Sequence, residues 1–304
     1  MPGEFAMPAF LRGVLLALWL AVNTVFWASL TFLAAALRVL LPEAFGGRAL
    51  RRRMNGIIDG WVSGNRWAFA RLNPTPITVR GAAGLSRSQW VLVLANHQSW
   101  TDILLLQNTL RHHLPPLKFF TKRELVWLPF LGQALWALDF PFMRRYSRAY
   151  LERHPEKRGA DLETTRRACA HFRHTPTAVI NFVEGTRWTP AKHAAQGGPY
   201  ARLLRPKAGG IGFVLSAMGD QLHGFVDVTL RYHAPAPNFW QFLCGRLGPV
   251  EILIEHGTLP EALRYGDYGE DPAFRGAVQS WLDARWRRKD ALLTGTETLE
   301  ASAP

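Results

Sequence analysis

The chain has 304 residues, of which 48% are hydrophobic, and a formal net charge of +13. It is too apolar for a disordered chain and long enough for one large domain or two small ones. Its two cysteines, Cys169 and Cys244, lie far apart in sequence; that excludes a disulfide framework or a thiolate zinc site and suits a reducing compartment. The basic excess, mostly arginine, points to a polyanionic partner: nucleic acid or an anionic membrane surface. Twelve tryptophans suit either a lipid headgroup region or stacking on single-stranded bases.

In chain order, the first element is "GVLLALWLAVNTVFWASLTFLAAAL", Gly13 to Leu37, without a charge. It predicts an apolar helix over 13–41, long enough to cross a bilayer core of about 20 residues. Arg38, Arg48, Arg51, Arg52 and Arg53 follow it against Arg12 before it, which places the following chain in the cytoplasm. Two alternatives stand beside a spanning helix: a buried core helix, and a re-entrant helix bent at the polar Asn23–Thr24 pair. Residues 42–55 read as a Pro/Gly/Arg-rich connector. Next, 56–72 form an amphipathic helix against membrane or domain: Ile57, Trp61, Ala68 and Leu72 repeat at helical spacing, and Asp59, Ser63 and Arg66 fall opposite. The prolines of "NPTP" end it.

The rest alternates. Strands are expected at 77–80, 90–95, 117–120, 178–183, 225–232 and 250–255, and helices at 100–111, 147–152, 160–174, 209–218 and 272–292. This predicts an α/β fold: a mixed, largely parallel sheet flanked by helices on both faces. The domain plan is an anchor over 1–72, a main domain over 73–293 and a disordered tail over 294–304.

No G-x-S-x-G elbow, Walker lysine, complete G-x-G-x-x-G or H-E-x-x-H occurs. His112–His113 project differently from a helix and read as a solvated helix end. Three stretches carry chemistry. "NHQSWTD" (96–102) follows a strand, so His97 sits at the carboxyl edge of the sheet, where α/β folds place ligands. Either His97 is a base oriented by Asp102, or Ser99 and Asp102 form a helix-capping box. "NFVEGTRW" (181–188) ends a second strand; Gly185 admits a close ligand, Thr186 offers a hydroxyl and Arg187 a fork for phosphate, or else the stretch is a turn with a structural Glu–Arg pair. "FFTKRELVWLPFLG" and "DFPFMRRYSR" set Lys122, Arg123, Arg144 and Arg145 beside apolar patches, as an anion-binding rim of an acyl channel or a solvated face.

N-H-x-x-x-x-D, then K-x-E-L-x-x-x-P-x-x-G, then E-G-T-R, in that order, resemble the glycerolipid acyltransferase superfamily, and in particular the 1-acylglycerol-3-phosphate acyltransferases. The resemblance covers about residues 75–235. "EGTRWTPAKH", "LLRPKAGGI" and "FVDVTLRY" are similar to a branch that includes bacterial inner-membrane probable acyltransferases. It implies that His97 is the catalytic base and Asp102 its partner, that Glu184, Gly185, Thr186 and Arg187 bind the acceptor's phosphate, and that Lys122 and Arg144 lie near it. Val183 stands where the commonest motif has proline, and Met143 where many members have aspartate. The usual proline-containing strand motif after the third block is missing, and "HGFVDVTLRY" occupies that region.

The expected activity is membrane-bound acyl transfer to the sn-2 hydroxyl of lysophosphatidate, giving phosphatidate. The co-substrate would be acyl-CoA or acyl-carrier protein, with no cofactor and no metal. The expected setting is the bacterial inner membrane with the catalytic domain facing the cytoplasm, on an anionic membrane surface and without nucleic acid. Alternatives are another lysophospholipid acceptor, or a non-catalytic membrane protein that binds anionic lipid.

Overall fold

The computed structural model describes residues 7–40, 47–138, 140, 142–143, 153, 165–166, 169–170, 172–173, 175–233 and 238–297. Within them a six-stranded sheet runs in the order β1–β8–β7–β2–β6–β3. Its strands are β1 (Ile77–Arg80), β2 (Val91–Ala95), β3 (Leu117–Phe119), β6 (Ala178–Phe182), β7 (Gly224–Tyr232) and β8 (Val250–Gly257). Only the β7–β8 pair is antiparallel. The expected mixed, largely parallel sheet is therefore present, and every expected strand is in it. A small parallel pair, β4 (Thr121–Lys122) and β5 (Phe142–Met143), stands apart.

A strand flanked by parallel neighbours and covered on both faces has no room for polar side chains, hence "VLVLA" in β2, where all five residues are buried. Alternate residues feed two cores. Val91, Val93 and Ala95 join a core that includes α3 (Thr101–Leu110), α7 (Phe239–Leu243) and the N-terminal helices. Leu92 and Leu94 join the opposite core, under α6 (Ala208–Met218) and α8 (Pro272–Thr294). Helix α8 is bolted to β7 by Lys289, whose Nζ lies 2.6 Å from Asp227 Oδ1 and 2.6 Å from the Val228 carbonyl. Arg285 holds the other Asp227 oxygen at 3.0 Å. Burial lowers the Lys289 pKa against the pull of Asp227. Loss of one partner from such a buried pair costs about 3–5 kcal/mol, because the other charge is left alone.

The N-terminal run is one continuous helix, α1 (Ala9–Leu40), that passes through its polar pair without a break. Asn23 instead donates to the Trp61 carbonyl at 2.9 Å and to Asn65 Oδ1 at 2.8 Å, and Thr24 accepts from Trp61 Nε1 at 3.1 Å. These residues join α1 to α2 (Gly47–Leu72). The helices approach closely because Gly60 and Gly64 face Trp27 and Asn23; a Cβ there would lie 2.1 and 2.5 Å from those side chains. Helix α2 starts at Gly47, so the expected connector over 42–55 is corrected from 47 onward. "RALRRRMN" contains no breaker, and its residues are largely good helix formers.

One side of α1 packs on the domain: Arg12 donates to the Cys244 carbonyl, and Trp27 and Thr31 lie against Leu131 and Leu135 of α4 (Leu131–Ala137). The other side is bare, with Leu18, Val22, Phe26 and Leu33 each more than half exposed. Only 17% of its most apolar window is buried, where a core helix would be buried almost throughout.

The expected helix at 147–152 lies outside the described residues. Of the one at 160–174, residues 165–166, 169–170 and 172–173 are described; all are helical except Arg173, which is in a turn. Of the expected tail over 294–304, Thr294 closes α8, 295–297 form a turn and the remainder lies outside the described residues.

Candidate active site

Strands β2 and β6 are parallel neighbours paired at Ala95–Phe182, so the loops leaving their carboxyl ends run side by side. These loops are "NHQSW" and "VEGTRW". Asn96 is buried and continues the ladder with its side chain: its Nδ2 donates to the Leu230 carbonyl at 3.0 Å, and its Oδ1 accepts from Leu230 N at 2.8 Å. The His97 backbone is fixed from the other loop. Its N–H donates to Glu184 Oε1 at 3.3 Å, and its carbonyl accepts from Trp188 N at 2.7 Å. Val183 N donates to the Ala95 carbonyl at 3.2 Å, a bond that the proline of the commonest motif could not make.

The imidazole of His97 stacks on Phe182, with ring centroids 4.0 Å apart, and its Nδ1 lies 2.8 Å from Asp102 Oδ2. The Asp102 side chain is fully buried and that of His97 is 15% exposed, so a reactant can meet the imidazole but not its partner. A carboxylate on Nδ1 holds the proton there and leaves Nε2 as the basic nitrogen.

Asp102 meets both the His97 ring and backbone donors of its own loop. The same Oδ2 also accepts from Gln98 N at 2.6 Å and Ser99 N at 2.9 Å, the returning half of a capping box. The forward half is altered, because Ser99 Oγ accepts from Thr101 N at 3.2 Å and not from Asp102 N. Asp102 Oδ1 accepts from the hydroxyl of Tyr232, a residue that sequence reasoning passed over as the end of a strand.

Glu184, which the resemblance sets within the phosphate-binding block, is completely buried, with Oε1 on His97 N and Oε2 on Leu204 N, each at 3.3 Å. It is a strut between the His97 loop and the segment before α6. Burial pushes its pKa up to about 8, although both backbone donors and Lys289 pull it down. An unfolded carboxyl titrates near 4.3. The folded chain therefore holds the extra proton between the two values, and stability falls as pH rises from about 4.3 to about 8. In Glu184→Ala two buried N–H groups lose their acceptor, and a loss of about 2–5 kcal/mol is expected. Denaturant titrations at pH 5, 7 and 9 check both: wild type should weaken stepwise, and the variant should be weaker with a flatter slope.

Of the remaining positions, Gly185 has φ +70°, the left-handed value that favours glycine in this turn. The Thr186 hydroxyl accepts at 2.8 Å from Nζ of Lys192, a residue of α5 (Pro190–Gln196), and that ammonium also donates to the Arg187 carbonyl at 3.0 Å. Arg187 is exposed, its guanidinium 5.1 Å above the Trp100 ring. It faces a cavity of about 360 Å³ whose walls include Gln98, Trp100, Trp188, Asn238 and Phe239. Sequence reasoning did not single out Lys192 or the aromatic walls; the tryptophan count was the only signal for the latter. The side chain of Lys122 and the whole of Arg144 lie outside the described residues.

Comparisons with known proteins bear on the family and the fold. Residues 76–232 match the family model described as Acyltransferase. The chain is 24% identical over 213 residues to 1-acyl-sn-glycerol-3-phosphate acyltransferase gamma of Mus musculus, across 66% of this chain but only 52% of that protein, about half its length. It is 23% identical over 296 residues to lysocardiolipin acyltransferase 1 of Danio rerio, across 93% of this chain and 70% of that one. Its fold is similar to the crystal structure of the 1-acyl-sn-glycerophosphate (LPA) acyltransferase PlsC from Thermotoga maritima, with TM-score 0.56 and 16% identity over 96% of this chain and all of that one.

Proposed function

The chain belongs to the acyltransferase family, and we propose that it is a membrane-bound O-acyltransferase that moves an acyl chain from acyl-CoA or acyl-carrier protein to the sn-2 hydroxyl of lysophosphatidate. The observation that carries this reading is the His97–Asp102 pair, a reachable imidazole on a buried carboxylate, one residue from the Arg187 cavity. His97 Nε2 takes the acceptor's hydroxyl proton as that oxygen attacks the thioester carbonyl. The tetrahedral intermediate collapses to an ester, and the departing thiolate receives the proton back from the imidazolium. Arg187, with Lys192 behind it, holds the phosphate so that the hydroxyl meets His97.

The bare side of α1 supports membrane attachment. A 32-residue helix is about 48 Å long, longer than a hydrocarbon core of about 30 Å. Its inner side is committed to the domain from Arg12 to Thr31, so we place it along one leaflet rather than across the bilayer. A cytoplasm-facing site on a bacterial inner membrane fits this arrangement. The resident lysolipid would then reach the site without leaving the bilayer, avoiding about 0.8 kcal/mol for each methylene extracted.

The size and aromatic walls of the cavity favour a second reading with the same chemistry, in which the acceptor carries a polyol beyond its phosphate. Purified protein given one acyl-CoA and a panel of lysolipids decides between the two. Lysophosphatidate should turn over fastest, and Arg187→Ala should raise its KM about 10-fold or more with a smaller change in kcat. An unchanged KM would remove Arg187 from the acceptor site, and a panel that gives no acylated product with either acyl-CoA or acyl-carrier protein would remove the enzyme reading.

A further inference from the structure

Asp102 is held by four donors that come from two different parts of the fold. Three of them, His97 Nδ1, Gln98 N and Ser99 N, converge on Oδ2 and belong to the same short loop. Their loop is tied to the neighbouring one through Glu184 and Trp188, but all three meet a single oxygen and leave Oδ1 unheld. The fourth, the Tyr232 hydroxyl on Oδ1, comes from 130 residues away. Tyr232 ends β7, a strand paired with both β2 and β8, and its backbone is in register with Val250.

We propose that Tyr232 is a positioning residue for acyl transfer: its hydroxyl stops rotation of the Asp102 carboxylate and keeps Oδ2 on His97 Nδ1. The inference rests on the His97–Asp102 reading above. The χ2 torsion of an aspartate is soft, with a broad range of accessible angles, so a carboxylate held through one oxygen can still swing about its Cβ–Cγ bond. A donor on the second oxygen, anchored to the sheet, removes that freedom. Burial, and next the Asp102 charge, push the phenol well above its ordinary pKa, so it stays protonated and donates. The position uses the hydroxyl and not only the ring, since phenylalanine would fill the same space without reaching Oδ1.

The test is a double-mutant cycle in the full chain with Tyr232→Phe, Asp102→Asn and the pair, reading kcat and KM for both substrates and the thermal midpoint. Tyr232→Phe should lower kcat about 10-fold with KM values within about twofold; in the Asp102→Asn background it should change kcat by less than about twofold, since there is no carboxylate left to hold. A residue that only packs the core would cost the same factor in both backgrounds, which would overturn the inference. So would an unaltered kcat in Tyr232→Phe while Asp102→Asn is crippled; in both cases the His97–Asp102 reading survives. If Asp102→Asn itself keeps full activity, that reading falls and takes this inference with it.

Discussion

Replacing His97 with alanine is expected to leave a folded chain that transfers acyl groups about 10²–10⁴-fold more slowly. The fold should survive because the loop does not depend on the imidazole. Glu184 and Trp188 hold the His97 backbone, and Asn96 secures the preceding residue to β7. The rate should not survive, because the other described basic nitrogen on a buried carboxylate at this edge, Lys289 on Asp227, is closed off from any reactant, its side chain only 1% exposed. Initial rates of thioester cleavage, with a melting curve on the same preparation, check both halves. A variant that melts normally and works within twofold of wild type would show that another group takes the proton.

Asp102→Asn is expected to lower turnover by a similar factor, about 10²–10⁴, but with a stability loss of about 1–3 kcal/mol. The second half of that expectation comes from the structure. Four donors meet this carboxylate, and an amide has one acceptor oxygen and an NH₂ that must face at least one of them. The substitution also removes the charge that stabilises the imidazolium during transfer. Activity therefore has to be measured well below the variant's melting temperature, on protein shown to be folded. Full turnover in folded Asp102→Asn would reduce Asp102 to a loop-closing residue.

The sheet was readable in the sequence because parallel, doubly covered strands leave uninterrupted apolar runs, as in "VLVLA" and "AVINF". His97 and Asp102 were readable because both belong to one short motif at a strand end. The inward turn of Glu184 was not legible because a motif says which residues are near a site and not which way a side chain points; just past a strand, burial decides that. Tyr232 was invisible because its partner is distant in sequence and nothing in "LRY" marks the tyrosine as different from a strand residue. The short α4 was missed for a related reason. "LGQALWA" is too brief for a helical period to declare itself, and its helix is stabilised by packing on α1.

The attachment of α1 has a consequence for the order in which the chain assembles. Its first turns are held by Arg12 on the Cys244 carbonyl, 232 residues later, and the edge strand β1 pairs with β8, the last strand made. Contacts between such distant segments require closure of very long loops and form slowly. During synthesis α2 follows at once and covers part of α1 through Asn23, Thr24 and Trp61, but the surface that holds Arg12 is made far later. A lipid surface that covers the exposed Leu18, Val22, Phe26 and Leu33 in that interval would shield the apolar side of α1 until Cys244 is in place.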